Sequence, residues 1–179
     1  MLHNLFYLVT YFFGFSKTEE FSLFDSGLIT SPLGTDGFDI NNEQSVAIRF
    51  FSNIQTNLES IDLLMMTNVF SEPYPVVNIC LSKGGELTPQ LPFTLIESVS
   101  VNVSGWTPTI ITVKSLPFLS IEAGEFYWII LESDNYILED ALWNLSGTLS
   151  FMSFSKCDKK CDWQEGNFGG SACIVVKGM

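Results

Sequence analysis

The sequence predicts an all-β fold, an antiparallel β-sandwich of jelly-roll type with eight or nine strands, and three observations carry that expectation. No stretch keeps a helical apolar period over three turns with caps at its ends. Short runs rich in β-branched and aromatic residues recur roughly every ten residues, punctuated by Gly, Pro, Asn and Ser. Residues 121–133 read Ile-Glu-Ala-Gly-Glu-Phe-Tyr-Trp-Ile-Ile-Leu-Glu-Ser, a turn at Ala123-Gly124 feeding a dense apolar run. Alternation sends Phe126, Trp128 and Ile130 to one face and Tyr127, Ile129 and Leu131 to the other. Both sets are apolar, so this strand is expected in the middle of a sheet with both faces covered.

Taken in order, residues 17–42 are irregular, broken by Gly27, Pro32, Gly34 and Gly37, with a short first strand at 21–24 and 27–30. Residues 45–53 alternate Val46, Ile48 and Phe50 against Ala47, Arg49 and Phe51, and 58–67 place Ile61, Leu63 and Met65 on one face. The turn Ser-Glu-Pro-Tyr-Pro at 71–75 leads to a strand at 76–82 that Lys83-Gly84-Gly85 ends. Strands at 93–103, 109–114, 148–154 and 172–177 complete the set around the central one. At 179 residues the chain holds one domain, which buries roughly 70% of the surface its unfolded form exposes.

Charge narrows the partners. Twenty acidic against eight basic residues give a net charge of −12, a field that repels phosphate backbones and anionic lipid surfaces. Nucleic acid and membrane insertion of the mature chain are thereby set aside. The uncharged run at 5–15, Leu-Phe-Tyr-Leu-Val-Thr-Tyr-Phe-Phe-Gly-Phe, has the length of a signal-peptide core, and Gly14 and Ser16 fit the small residues of a cleavage site. Residues 1–16 are therefore expected to be a signal peptide and 17–179 a single secreted domain. The alternative is that 5–15 forms a buried strand or helix.

Two glycosylation triplets, at Asn102 and Asn144, agree with secretion. So does the even number of cysteines, four. Four cysteines allow three connectivities. Bridges are expected among Cys157, Cys161 and Cys173, which flank one hairpin. A free buried thiol at Cys80, within a strand, would leave one of those three unpaired, so the pairing stays open.

The run Val-Val-Asn-Ile-Cys-Leu-Ser-Lys-Gly-Gly at 76–85, followed by Pro89 and Pro92, resembles the strand and polar Gly-Gly turn of choice-of-anchor β-sandwich domains, type R in particular. Leu-Ser-Ile-Glu-Ala-Gly-Glu-Phe-Tyr-Trp-Ile at 119–129 is similar to a late strand of that family, and 45–50 stands where such sandwiches begin. The resemblance spans residues 44–133 and implies a secreted or surface jelly-roll domain related to lectin-like folds. It brings no catalytic residues. The chain departs from the pattern in showing no cell-wall sorting segment.

Removal of residues 1–16 takes with it the single histidine, His3, and with it Ser-His-Asp and Cys-His catalysis and His-ligated zinc. One arginine, Arg49, makes no phosphate clamp. A glycosidase needs two carboxyls about 5–9.5 Å apart across a cleft. Glu132, Asp134, Glu139 and Asp140 are near in sequence but fall at a strand end and loop, where acids are solvated. Residues 36–43 gather Asp36, Asp39, Asn41, Asn42 and Glu43, oxygen donors suited to Ca2+, although Asp and Asn are also ordinary turn formers. Asp158, Asp162 and Glu165 form a weaker cluster.

Sugar binding on a sandwich uses exposed rings with carboxylates or amides beside them. Trp143, expected in a loop beside Asn144, and Trp163, beside Asp162, Gln164 and Asn167, are the candidates, with Trp106 and Tyr74 behind them. The bland alternative is that these rings cap the core under long loops. The function expected is a secreted, non-enzymatic module binding a glycan or an extracellular protein. A structural matrix component assembled through a Phe-rich surface and a small carboxylate hydrolase are the alternatives.

Overall fold

The computed structural model describes residues 20–27, 37–102, 107–115, 119–134, 141–146, 152–156, 163–166, 171–172 and 174–179. Among them there is no helix. The strands are β1 (Phe21–Asp25), β2 (Gly37–Ile40), β3 (Gln44–Ser52), β4 (Thr56–Thr67), β5 (Val76–Lys83), β6 (Thr94–Ser100), β7 (Thr109–Lys114), β8 (Ser120–Ile121), β9 (Glu125–Ser133), β10 (Ala141–Ser146), β11 (Met152–Lys156), β12 (Gln164–Gly166), β13 (Ser171–Ala172) and β14 (Ile174–Gly178). There are more segments than the sequence led one to expect: β8, β12 and β13 are only two or three residues long, and β2 and β10 form where irregular chain or loop was expected.

Two antiparallel sheets form an all-β sandwich. One runs β12-β11-β3-β9-β5-β6. The other is built on the long β4. Leu63 of β4 pairs with Ile174 of β14 and Ile111 of β7, and Met65 with Trp143 of β10 and Thr109 of β7. β14 and β10 therefore lie end to end along one edge of β4, with β7 along the other.

β9 occupies the middle of the six-stranded sheet, as its sequence predicts. Register builds rows across β3, β9 and β5: Val46–Leu131–Ile79 and Ile48–Ile129–Leu81 face the other sheet. With Ile61, Leu63 and Met65 of β4, Ile174 and Val176 of β14, and Trp143 of β10, these rows make the main core. Stacked rings of Phe24, Phe50 and Tyr127, with centroids 6.2 and 5.6 Å apart, fill one part of the interlayer.

The alternate rows point outwards and are covered all the same. Ala47, Ile130 and Cys80 line up beside Trp128, and Phe93 and Trp163 pack over this second, smaller cluster. The loop between β5 and β6 is its roof. Trp128 donates from Nε1 to the carbonyl of Gly85, Arg49 to the carbonyl of Glu86, and Gly84 N donates to Phe126 O. Ser82 Oγ donates to Gln90 O and accepts from Gln90 N, closing the loop on itself. Burial on both faces explains why β9 reads as a continuous apolar run instead of a half-polar one.

The outer face of the β4 sheet carries a polar knot. Lys177 Nζ lies 2.9 Å from Asp62 Oδ2 and 3.3 Å from Glu20 Oε1, Thr112 Oγ1 donates to Asp62 Oδ1 at 2.6 Å, and Ser60 Oγ reaches Glu20. Asp62 is buried, and these partners satisfy it.

Candidate functional site

The tryptophan pair does not make a platform. Trp143 is a strand residue of β10, not a loop residue, and it is 0% exposed in the main core between the sheets. Trp163 lies instead on the far side of the six-stranded sheet, half-buried and edge-on to Phe93 with centroids 6.2 Å apart. A sheet separates the two rings, and both serve packing. Gln164 falls in β12, while Asp162, Asn167 and Trp106 lie outside the described residues.

Asn144 is also corrected as a glycan acceptor. It sits within β10 opposite Gly37 of β2 and is 3% exposed, so the strand pairing leaves its side chain no path to a glycan. The two strands approach closely there: a Cβ on Gly37 would meet the Trp143 carbonyl oxygen at 2.9 Å. Asn102, by contrast, is exposed just beyond β6.

In the acidic segment expected to hold Ca2+, Asn41 is buried and turns its Oδ1 to the backbone, accepting from Glu43 N and Gln44 N at 2.9 Å each. That is the Asx turn that reverses the chain from β2 into β3. Asp39 and Glu43 are exposed, and among the described residues no group of three or more Cys, His, Asp or Glu is placed to hold a metal. Asp36, Cys157, Cys161 and Cys173 lie outside the described residues. Cys80 is buried against Ala47, Trp128 and Ile130, where it packs as a small apolar side chain.

A different surface brings binding groups together. The segment 68–75 crosses from β4 to β5, one sheet to the other, and register places Val76 opposite Ser100 at the end of β6. Glu72, Pro73, Tyr74, Val76 and Ser100 line a shallow, open depression of about 550 Å³. Two hydrogen bonds to main-chain carbonyls of its neighbourhood, at Pro75 and Val76, fix the local backbone. Val101 N donates to Pro75 O at 2.8 Å, and Ser133 Oγ, at the end of β9, donates to Val76 O at 2.7 Å. Glu72 is exposed and Tyr74 half-buried at this surface.

Of the sequence candidates only Tyr74 belongs here. Glu72 and Ser100 escaped because nothing in a linear reading joins residue 72 to residue 100; the Val76–Ser100 pairing does so. No helix among the described residues is long and apolar enough to cross a membrane. No family model matches the chain, and no curated protein matches it either.

Proposed function

We propose that the chain is a secreted, non-enzymatic β-sandwich module that binds glycans, with the Tyr74 depression as its site. The observation that carries this reading is that Tyr74, Glu72 and Ser100, a ring-bearing, a carboxylate and a hydroxyl residue, line one open depression. A ring packs on the apolar face of a pyranose, while a carboxylate and a hydroxyl take its hydroxyl groups. The uncharged run at 5–15 and the exposed Asn102 support secretion, and the resemblance to choice-of-anchor domains belongs to the same proposal. The chain's single histidine, His3, falls within the expected signal segment, which favours binding over catalysis.

A glycan array followed by calorimetry tests this. Wild type is expected to bind, Tyr74→Ala to lose about tenfold or more in affinity, and Glu72→Gln to lose less. An array without a hit, or binding indifferent to Tyr74→Ala, contradicts it. Phe70, two residues before Glu72 and 65% exposed, favours a protein partner as the second reading. In that case Phe70→Ser abolishes partner capture while the array stays blank.

A further inference from the structure

Sheet edges offer unpaired N–H and C=O groups to other chains, and native sheets blunt them with bulges, charges, prolines or brevity. Most edges here are blunted. β12 has three residues and β13 two; β2 has four and carries the exposed Asp39. β1 shifts register between Ser22 and Phe24 and ends on Asp25. β6 shifts register opposite Ile79 and Cys80 and exposes Glu97. β7 carries only one of these devices, the exposed Lys114 at its end. It pairs with β4 through six successive residues without a shift, from Lys114↔Ser60 to Thr109↔Met65, and contains neither proline nor acid. Along its other edge no strand pairs with it among the described residues. Thr109, Ile110, Thr112 and Lys114 are exposed, Ile110 at 44%.

We propose that β7 is a self-pairing edge, along which two copies of this chain join antiparallel about a two-fold axis at Thr112. Residues directly opposite in an antiparallel pair share a face. Val113 and Ile111 face the core, while Ile110, Thr112 and Lys114 face outwards. An axis at Thr112 sets Ile111 against Val113 of the second copy on the core side, extending the apolar interlayer across the junction. On the outer side Thr112 meets Thr112, and Ile110 lies along the alkyl stem of Lys114. No acid meets an acid, although the chain as a whole carries −12. The same operation on β6 would bring two acid-bearing, bulged edges together. That self-complementarity selects a second copy over a foreign strand. A six-residue strand spans roughly 20 Å, less than a standard interface needs, so the dimer is weak and salt strengthens it by screening the net charge.

Sedimentation velocity of the full chain, from about 5 to about 500 μM at low and high salt, is the test, with Ile110→Lys and Ile110→Glu beside wild type. Wild type is expected to dimerise as concentration and salt rise. Ile110→Lys places cations opposite Lys114 twice per dimer and weakens it about tenfold, and Ile110→Glu strengthens it a few-fold. Net charge alone predicts the reverse order, since lysine lowers the repulsion and glutamate raises it. Amide exchange in wild type gives a second readout, with protection of residues 109–114 rising with concentration. A monomer throughout, variants ordered by net charge, or protection gained elsewhere overturns the proposal.

Discussion

Trp128 Nε1 donates to the carbonyl oxygen of Gly85 at 2.8 Å, fastening the β5–β6 loop over the outer face of β9. The loop reaches that point only because Gly85 adopts a φ of +77°, and a Cβ there would lie 2.0 Å from the Thr88 carbonyl oxygen. Trp128→Phe, which keeps a ring and removes the donor, is expected to cost about 1–2 kcal/mol. Gly85→Ala costs about 2 kcal/mol or more through backbone strain and the clash. Urea denaturation reads both, and a Gly85→Ala variant as stable as wild type would mean that the loop is not docked.

The two tryptophans that attract notice in the sequence separate by their packing. Trp143→Ala empties the main core and is expected to cost about 3–5 kcal/mol. Trp163→Ala, at a half-buried ring on the smaller cluster, costs about 1–2 kcal/mol. Neither change should reduce the glycan binding proposed for the Tyr74 depression in a variant that remains folded. Equal losses of stability would contradict the placement of Trp143 between the sheets.

Much of the fold was legible because the burial of alternate faces writes itself into residue type. β3, β4, β5, β7 and β9 are all found within a few residues of where alternation puts them, and the split of Tyr127, Ile129 and Leu131 from Trp128 and Ile130 holds. β10 was missed. Its Ala-Leu-Trp-Asn-Leu-Ser contains an asparagine and a glycosylation triplet, both loop signals, and only its pairing with β2 and β4 makes a strand of it. Gly37, which lets β2 approach the Trp143 carbonyl, was the local signal available. The depression at Tyr74 could not be read at all from composition, because Ser100 joins it through register. Asn41, sought as a cation ligand, is a turn former whose Oδ1 is taken by two backbone N–H groups.

The Lys177 ammonium is held above its ordinary value of 10.5, chiefly by its hydrogen bond to Asp62 and then by Glu20, with burial opposing. Its folded pKa exceeds its unfolded one, so its contribution to stability is complete below pH 10.5 and fades as pH climbs through the raised folded value. Wild type should therefore lose stability in that alkaline window, and Lys177→Met should lose less there, keeping only what the likewise raised Lys83 contributes. At neutral pH, Lys177→Met leaves the buried Asp62 without its cation and is expected to cost about 2 kcal/mol. Thermal melts from pH 7 upwards show the two curves converging, and parallel curves would contradict the linkage.

The ordering of the whole molecule around β9 is most directly tested by native-state amide exchange. The account predicts that the amides of Tyr127, Trp128, Ile129, Ile130 and Leu131 are among the slowest in the chain and open only with global unfolding, ahead of those in the edge strands β6 and β7. Exchange of β9 as fast as that of β6 would contradict a middle strand sealed on both faces.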